Sequence, residues 1–472
     1  MKKRLVLLLL CALLLGVLTG CGDVEIGPAP QSAPVQGQHD SVPSDTGGIA
    51  GSGESVITLS GGGASAAGGG VSVSGSVVTI ASPGEYRVSG TLDDGCIVVN
   101  TGEVKGDVRL IMDGASVSCL TGPAIRVEQT KNFDLVLADG TENRLVSGTE
   151  GVSAAEMQDG AALYSEDDVD ILGGGSLTVC GYLNNGITCK DDLDILSGTL
   201  TVTAANNGIK GSESVEISGG SITVSAYGDG ISAETDLTVS DGTLRVTTRE
   251  EGELGSSKAL KAKGLLTVSG GTLELDSADH AIHSTADILV GGGRLTIVSR
   301  LGKGLSAHGS LTVSDGMLDV ISADDGLEAR DTLKISGGAI RLLAGADGLK
   351  AGGKNAAGAG RLVIEGGSVT LSAHADPFDA TGGAVISGGS FSGVGTPKTP
   401  KGFSADSSQR SLLFAFGGAE NTAAEVRDAD GAVVGAVEAR CGYTCAIFSR
   451  PELTVGQYSL SCRSLTSYAD AA

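Results

Sequence analysis

Apolar and polar residues alternate along most of this chain in short runs that end at glycine. Residues 215–224, for example, read Val-Glu-Ile-Ser-Gly-Gly-Ser-Ile-Thr-Val, with an apolar residue at every second position on either side of a glycine turn. A period of two places successive side chains on opposite faces of a β-strand, whereas a helix needs apolar residues three or four positions apart. The pattern therefore predicts an all-β protein whose strands bury one face.

The alternation itself repeats about every 22 residues between positions 184 and 350. Each repeat holds a small residue followed by Ile or Leu, and successive small residues are 22, 22, 29, 22, 23, 22 and 22 positions apart. Three short strands and three turns fit within one repeat, so the period predicts a right-handed parallel β-helix whose coils stack about 4.8 Å apart. The fixed Leu and Asn positions of leucine-rich repeats are absent, which excludes that solenoid. The small residue and its neighbours in the successive repeats are Asn185-Gly186-Ile187, Asn207-Gly208-Ile209, Asp229-Gly230-Ile231, Lys258-Ala259-Leu260, His280-Ala281-Ile282, Lys303-Gly304-Leu305, Asp325-Gly326-Leu327 and Asp347-Gly348-Leu349.

The N-terminus has the pattern of a bacterial lipoprotein signal peptide over residues 1–21. A basic start is followed by a short apolar run and then by Leu18-Thr19-Gly20-Cys21, which has the form of a lipobox. The apolar run is too short for a convincing membrane span, and two acyl chains on Cys21 would give a stable anchor. We expect the protein on the outer face of the bacterial cell membrane, with an ordinary signal peptide and an incidental cysteine as the alternative.

Composition changes along the chain predict three further segments. Residues 22–54 are rich in Gly, Pro and Ser and predict a disordered linker. Residues 55–395 carry the alternating runs and predict the β-helix. Residues 396–472 begin with a Pro-containing break and gain aromatic residues, which predicts a small C-terminal β domain or cap.

The chain is strongly acidic, with a formal net charge of −24. This charge disfavours nucleic acid as a partner and favours divalent cations. Trp is absent and Tyr and Phe number seven each, so the repeat offers no evident stacking platform for crystalline cellulose. Seven cysteines remain besides Cys11 and Cys21, and two alternatives stay open for them. Cys441 pairs with Cys445 or Cys462, or the cysteines are buried as small apolar residues.

Registered coils stack equivalent positions into columns, and two groups of aspartates then come together. Stacked carboxylates repel one another, so either they splay into solvent or a cation neutralises them. Calcium takes six to eight oxygen ligands in flexible geometry, so both groups are candidate calcium sites, with a solvated acidic face as the alternative. The first group is Asp324, Asp325, Glu328, Asp347, Asp376 and Asp379. The second group aligns Asp167, Asp168 and Asp170 with Asp191, Asp192 and Asp194. The asparagines 184, 185, 206 and 207 are expected to form a structural stack.

A further column follows the Ile or Leu of each repeat and carries several lysines. Lys210, Lys350 and the adjacent Asp229 are candidate ligand-binding residues. The lysines either contact sugar carboxylates or pair with neighbouring aspartates, and for any single lysine the second is favoured. The members of the column are Arg126, Tyr164, Thr188, Lys210, Ser232, Lys261, His283, Ser306, Glu328 and Lys350.

The run Asp347-Gly348-Leu349-Lys350-Ala351 and the turn Ser269-Gly270-Gly271-Thr272 resemble the carbohydrate-binding β-helix lipoproteins of clostridia and their relatives, which share a fold with pectate lyases. The resemblance spans roughly residues 55–465. It implies binding of plant cell-wall polysaccharide, either an acidic pectic glycan or cellulose, with calcium in the turns. We expect the protein to be a monomer and to bind without catalysis. The chain departs from the Asp-Gly pattern in three repeats, at Lys258, His280 and Lys303.

Two other function classes stay open. A calcium-dependent polysaccharide lyase would use Lys210, Lys261, Lys350 or Arg330 to remove the proton next to a uronate carboxylate. A surface adhesin or spacer would use the repeat only for length. The absence of Trp favours a charged glycan bridged by calcium over crystalline cellulose.

Overall fold

The computed structural model describes residues 54–150, 160–249, 256–353, 359–462 and 465–471. The predicted signal peptide, the lipobox Cys21 and nearly all of the predicted linker lie outside these residues. Within the described ranges, no helix has the length and apolar character needed to cross a membrane.

The strand after each small residue belongs to one parallel sheet, named here the anchor sheet. Ile187 pairs with Ile209, and Ile209 pairs with Ile231, so each coil advances by one sequence repeat. Among the described residues, the anchor sheet is parallel except for its first pair of strands, before residue 81, which is antiparallel. In the described part of the chain its strands are Val71–Ser74, Val77–Ile80, Cys96–Asn100, Ile125–Gln129, Leu163–Ser165, Ile187–Cys189, Ile209–Gly211, Ile231–Ala233, Leu260–Ala262, Ile282–Ser284, Leu305–Ala307, Leu327–Ala329, Leu349–Ala351 and Phe378–Ala380.

Two further strands per coil form the other two faces of the solenoid. The strand before the glycine turn forms the second column: Phe133–Leu137, Val169–Gly173, Leu193–Ile195, Val215–Ile217, Leu237–Val239, Leu266–Val268, Ile288–Val290, Leu311–Val313, Thr332–Ile335, Arg361–Ile364 and Ala384–Ile386. The strand after it forms the third column: Glu142–Ser147, Ser176–Gly181, Thr199–Ala204, Ser221–Ala226, Thr243–Thr248, Thr272–Ser277, Arg294–Ser299, Met317–Ser322, Ala339–Ala344, Ser368–Ala373 and Ser390–Gly395. Both columns pair in parallel at the same one-coil step, as Leu193 with Val215 and Leu200 with Ile222 show. The predicted parallel β-helix is confirmed.

The core is a thin apolar column enclosed by the three faces. Leu193, Ile195, Leu200 and Ile209 are all fully buried. Thr201, which directly follows Leu200 in the strand, is exposed. The alternation in the sequence therefore corresponds to inside and outside. Because Ile, Val and Leu repeat at the same positions in every coil, each coil packs against an almost identical layer.

Glycine makes the turn between the second and third columns. Gly220, Gly242 and Gly271 have φ values of 84°, 99° and 80°, which other residues rarely adopt. A Cβ on Gly220 would also lie 2.8 Å from the carbonyl oxygen of Gly198 in the preceding coil. The turn therefore requires glycine for both its backbone conformation and its close stacking.

The ends of the solenoid depart from the regular coil. At the N-terminal end Ser55–Gly61 and Ala64–Ala67 pair in antiparallel fashion, and the long strands Gly84–Leu92 and Val108–Cys119 follow in parallel. At the other end Ser411–Phe414 and Cys445–Ser449 extend the last coil by antiparallel pairing. A separate antiparallel sheet contains Thr422–Arg427, Val433–Ala439, Gly456–Cys462 and Leu465–Ala471. Cys441, Cys445 and Cys462 are free and buried, which corresponds to the second of the two cysteine alternatives.

The small residue of each repeat should be required by the stacking of coils. A Cβ on Gly208 would lie 2.2 Å from Val224 Cγ1 and 2.6 Å from the carbonyl oxygen of Gly230 in the next coil. We expect Gly208→Ala to lower the free energy of unfolding by about 1–3 kcal/mol, measured by denaturant titration. The control is Gly62→Ala, since a Cβ on Gly62 would meet no atom within 4 Å. Equal stability of the two variants would contradict this packing.

Candidate functional site

Side-chain acceptors join successive coils at the corner between the third column and the anchor sheet. Asn185 Oδ1 accepts the backbone N–H of Asn207 at 3.1 Å, and Asn207 Oδ1 accepts that of Asp229 at 2.9 Å. Asp229 Oδ1 in turn accepts the N–H of Lys258 at 3.0 Å. The neighbouring asparagines are also joined, by a bond of 2.8 Å from Asn206 Nδ2 to Asn184 Oδ1. The asparagine stack is therefore structural, as predicted.

The same arrangement, named here the corner ladder, continues at later coils with other residue types. His280 Nδ1 accepts the N–H of Lys303 at 3.0 Å. Asp325 Oδ1 accepts the N–H of Asp347 at 3.1 Å, and Asp347 Oδ1 accepts that of Asp376 at 3.2 Å. Asn, Asp and His thus all serve as acceptors at this position, whereas Lys258 and Lys303, which have only donors, interrupt the ladder in their coils. One oxygen of each ladder aspartate is consequently occupied by the protein itself.

Lysines occupy the other oxygens of the first predicted calcium cluster. Asp325 Oδ2 lies 2.6 Å from Lys303 Nζ and 3.2 Å from Lys350 Nζ, and Asp347 Oδ2 lies 3.0 Å from Lys350 Nζ. Burial alone would raise the pKa of Asp325, but the hydrogen bond and charge of Lys303 and the charge of Lys350 outweigh it and lower that pKa. The same ion pairs outweigh the burial of Lys350 and raise its pKa. The cluster is therefore compensated by ammonium groups.

The remaining members of this cluster lie around the same two lysines or beyond them. Glu328 is 2.9 Å and Asp324 is 3.8 Å from Lys303 Nζ. Asp379 is 3.5 Å from Lys401 Nζ. Burial raises the pKa of Asp376, and the charges of Asp347 and Asp379 raise it further. The structure thus brings these carboxylates together as predicted, and a metal ion among them stays a prediction.

The candidate ligand-binding residues are also paired. Lys261 Nζ lies 2.8 Å from Asp229 Oδ2, and Asp229 is 3% exposed. Lys210 Nζ lies 3.8 Å from Glu234 Oε1. Lys210, Lys261 and Lys350 therefore all pair with nearby acids, which was the favoured prediction for a single lysine.

The second predicted calcium cluster lies at the corner between the anchor sheet and the second column. Asp168, Asp191 and Asp192 each have one carboxylate oxygen within 4.8 Å of those of the other two. Asp168 Oδ1 accepts the N–H of Asp192 at 3.3 Å, and Asp192 Oδ1 accepts that of Ser214 at 3.1 Å. Burial raises the pKa of Asp168, and the charges of Asp191 and Asp192 add to this effect although the N–H of Asp192 opposes it. These three residues are named the aspartate triad.

Asp167 has the register position of Asp191 one coil earlier, since Ser165 pairs with Cys189 and Val169 pairs with Leu193, but its carboxylate has a different partner. Its Oδ2 accepts the backbone N–H of Thr130 at 2.8 Å. Asp191 belongs to the aspartate triad, whereas Asp167 connects the coil to the preceding one. The alignment predicted from the sequence is therefore present, and the two carboxylates at this position differ only in their contacts.

A row of acids also follows the outer face of the second column. Asp134, Asp170, Asp194 and Glu216 are aligned on successive coils. Arg109 NH2 lies 2.9 Å from Asp134 Oδ2 at one end of the row. Burial raises the pKa of Asp194 to about 6, with further contributions from the charges of Asp170 and Glu216. The middle of the row therefore carries uncompensated repulsion.

The outer face of the anchor sheet carries a straight polar row, named here the anchor row. It contains the column that the sequence predicted, extended by Asp379. Its members point away from the core, yet several are buried, among them Thr188 at 5% exposure, Ser232 at 7% and Ser306 at 2%. At Thr188 a side chain of the flanking corner contacts the row, since Asn185 Nδ2 donates to Thr188 Oγ1 at 3.0 Å. In order along the solenoid it contains Arg126, Tyr164, Thr188, Lys210, Ser232, Lys261, His283, Ser306, Glu328, Lys350 and Asp379.

Two tyrosines lie beside the anchor row at equivalent corner positions, and the sequence did not reveal them as a pair. Tyr182 and Tyr227 each follow the last residue of a third-column strand, and those strands are two coils apart. At about 4.8 Å per coil the two positions are roughly 10 Å apart. Both side chains are half-buried. The signal in the sequence is that each tyrosine directly follows a third-column strand, but Tyr182 precedes Asn185 by three residues and Tyr227 precedes Asp229 by two, so the spacing to the following small residue does not align them.

Comparison with known proteins places the chain in a family. The profile of the family described as "Carbohydrate-binding domain-containing protein" matches residues 74–234, 214–299 and 285–412. The chain belongs to this family. A protein of the same description from Acetivibrio thermocellus is 37% identical over 136 residues, which are 28% of this chain and 47% of that protein. The match thus spans about half the length of the relative.

A solved structure is also similar to this chain. It is described as "Structure of the polysaccharide lyase-like protein from C. thermocellum, Gadolinium derivative". The superposition has a TM-score of 0.40 and 29% sequence identity, and it covers 55% of this chain and 97% of that chain.

Removing Asp325 should destabilise the solenoid because two interactions are lost, its ion pairs with the lysines and its hydrogen bond to the next coil. Asp325→Ala leaves Lys303 and Lys350 without their buried partner and the N–H of Asp347 without its acceptor, whereas Asp325→Asn can keep the acceptor. We expect a loss of about 3 kcal/mol for the alanine variant and a smaller loss for the asparagine variant at pH 7 by urea unfolding.

The pH dependence of that difference follows from the lowered pKa of Asp325. The ionised side chain stabilises the fold above its unfolded pKa of about 3.9, and this stabilisation is lost as the pH falls through the lower folded value. The stability gap between the wild type and Asp325→Asn should therefore close below about pH 4. A gap that is unchanged at pH 3 would show that the charge contributes nothing.

Asp194→Asn should have the opposite effect. Because the folded pKa of Asp194 is raised to about 6, ionisation opposes folding as the pH rises from about 4 to 6. We expect the variant to melt at a higher temperature than the wild type at pH 7.5, with the difference disappearing near pH 3.5. The matched control is Asp134→Asn, which removes a carboxylate that Arg109 neutralises and should not stabilise the protein.

Proposed function

We propose that this protein binds a linear plant cell-wall polysaccharide without cleaving it, as a lipoprotein anchored through Cys21 on the outer face of the bacterial membrane. An acidic pectic glycan is the proposed ligand, with cellulose as the neutral alternative. The observation that carries the proposal is the anchor row, in which one outward polar side chain per coil follows a straight line. Membership of the carbohydrate-binding family supports the same class of ligand.

The length of the row suits an extended polymer. From Arg126 to Asp379 it crosses ten coil steps of about 4.8 Å, a distance of roughly 50 Å. Each polar contact with a sugar is individually weak because it replaces a contact with water. Contacts repeated along one chain add through their high effective concentration, so a long ligand would bind much more tightly than a single sugar.

Tyr182 and Tyr227 supply the apolar part of this surface. A tyrosine ring offers a flat apolar face that can pack against the C–H face of a sugar, while its hydroxyl stays in water. Two such rings on one corner, next to the asparagines of the corner ladder, would hold two sugars of the same chain. This combination of ring faces and amides is what a polysaccharide requires and what a bare spacer does not.

Calcium assistance is proposed at the aspartate triad rather than at the first acidic cluster. Lys303 and Lys350 already compensate Asp325 and Asp347, so a further cation gains little there. In the triad Asp191 and Asp192 are exposed, and their charges reinforce the raised pKa of Asp168. A bound calcium ion would remove this repulsion and would have coordination positions left for a sugar carboxylate.

The state of the lysines supports binding without catalysis. A lyase base must be deprotonated when it takes the proton, whereas the pKa of Lys350 is raised by Asp325 and Asp347. Lys261 is held 2.8 Å from the buried Asp229. Arg330 donates to His308 Nε2 at 2.8 Å. Each candidate base is thus engaged as a cation or donor.

The binding proposal is tested by affinity electrophoresis of the protein in gels containing polygalacturonate or soluble cellulose derivatives. We expect retardation by polygalacturonate, loss of most of it in Tyr227→Ala, and reduction by a calcium chelator. Tyr468→Ala is the matched control, since Tyr468 is 66% exposed on the C-terminal sheet away from the row. Asp192→Asn should reproduce the effect of the chelator.

The competing functions give different results in the same experiment. Ultraviolet absorbance of unsaturated products from polygalacturonate would identify a lyase and contradict the non-catalytic proposal. Retardation only by the cellulose derivative, independent of chelator, would leave carbohydrate binding in place and reject both the acidic ligand and the calcium. Migration unchanged in every gel would favour a spacer.

A further inference from the structure

Three of the five histidines of the chain meet on the anchor sheet. His280 belongs to the corner ladder, His283 belongs to the anchor row three residues later, and His308 lies in the next coil, two residues beyond the row member Ser306. The ring centroids of His280 and His283 are 5.5 Å apart, and those of His283 and His308 are 5.0 Å apart in an edge-to-face arrangement. The histidines therefore form one cluster with His283 at its centre.

The central ring has an unsatisfied nitrogen. His283 is 7% exposed, and its Nδ1 has no hydrogen-bond partner within the described part of the chain. A buried polar atom left unpaired costs about 1–3 kcal/mol, so such an atom is uncommon without a functional reason. Neither the corner ladder nor the proposed glycan contacts account for it.

The hydrogen bonds of the outer rings fix which nitrogen carries a lone pair. Arg330 has only donors, so at 2.8 Å its guanidinium donates to His308 Nε2, which must hold a lone pair. The backbone N–H of Lys303 donates to His280 Nδ1 at 3.0 Å, so the proton of neutral His280 is on Nε2. His308 consequently has a tautomer that suits a metal ion, whereas His280 is committed to the ladder.

The electrostatic surroundings keep the cluster neutral. Burial, together with the charges of Lys258 and of the two other histidines, lowers the pKa of His283 to about 3. Burial likewise lowers the pKa of His280 and of His308. At neutral pH no proton therefore has to leave before the rings bind a ligand. The charge of Glu328 acts in the opposite direction and raises the pKa of His280 and of His308, so a negative charge lies near the cluster.

We propose that His283 Nδ1 and His308 Nε2 together bind a divalent transition-metal ion of the zinc and copper class. Imidazole nitrogen suits these ions, whereas calcium prefers oxygen. Two imidazoles bound at about 2.0–2.1 Å to one tetrahedral ion have ring centroids about 5 Å apart, which is the separation of His283 and His308. Binding requires the half-buried Arg330 side chain to move away from His308. His280 stays in the corner ladder and is not a ligand, and the site is independent of the aspartate triad.

The proposal is tested with the full-length protein in detergent, using zinc chloride in isothermal titration and copper(II) chloride in electron paramagnetic resonance. We expect one ion per chain, with nitrogen hyperfine splitting in the copper spectrum. His283→Ala and His308→Ala should each weaken zinc binding 10- to 100-fold. His280→Asn should bind zinc within about threefold of the wild type, because asparagine is the ladder acceptor in other coils. Circular dichroism and melting curves identify any variant that fails to fold. If His283→Ala does not fold, His308→Ala still tests the proposal, because His308 is only half-buried and its replacement disturbs the core less.

His374→Ala and Asp192→Asn are the matched controls. His374 has its Nδ1 at 3.0 Å from the carbonyl oxygen of Ala344, outside the cluster, and Asp192 belongs to the aspartate triad. Neither change should alter zinc affinity, and excess calcium should not displace zinc. Wild-type affinity in the His283→Ala/His308→Ala double variant would overturn the proposal. Loss of zinc binding in Asp192→Asn alone, or a copper spectrum without nitrogen splitting, would overturn it as well.

Discussion

Every feature of this protein depends on the register of neighbouring coils. Backbone hydrogen bonds of the three sheets hold that register along the flat faces, but each corner leaves N–H groups without a sheet partner. The corner ladder supplies the missing acceptors, as Asn185 does for Asn207 and Asp325 does for Asp347. A slip of one residue between neighbouring coils would remove these bonds and turn the Ile, Val and Leu side chains out of their layers at the same time. Stacking of this kind explains why near-identical sequence returns at a fixed period.

The corner ladder also determines the charge pattern of the surface. Most coils carry an acceptor at this position, with Lys258 and Lys303 as exceptions, and where the acceptor is an aspartate its second oxygen is neutralised. Along the anchor row the neutralising groups are lysines, and Lys350 serves both Asp325 and Asp347. At the aspartate triad, by contrast, like charges crowd one another and raise the pKa of Asp168. Acidic residues of similar spacing thus have different chemistry at the two corners, and only the second resembles a cation site.

Several outward-facing residues of the anchor sheet are buried. Ser232, His283 and Ser306 point away from the core, yet they are only 7%, 7% and 2% exposed. Hydrogen-bonding groups in such a row are held in fixed positions because water does not fully solvate them. The half-buried Tyr182 and Tyr227 extend the same surface with apolar ring faces. The solenoid thereby turns a repetitive sequence into a linear surface of varied chemistry.

The sequence by itself determined the coil, the three strands and the membership of the anchor row. These follow from periods of 2 and about 22 residues, which local sterics and apolar burial translate directly into strands and layers. It also indicated which aspartates approach one another, because a regular repeat converts sequence spacing into distance. The alignment of Asp170 with Asp194 holds as well, although an insertion precedes this coil.

Only the tertiary structure decided what the clustered groups do. Lys303 bridges Asp325 and Glu328 through a long, flexible side chain whose direction no repeat pattern fixes. His280, His283 and His308 come from three different positions of the repeat and from two coils. Aligning the repeats therefore does not place them in one column, and their contact is visible only in the structure. Burial of His283 and its unpaired Nδ1 likewise arise from neighbours on adjacent coils. Periodicity sets backbone position, whereas side-chain direction and charge pairing depend on contacts between coils.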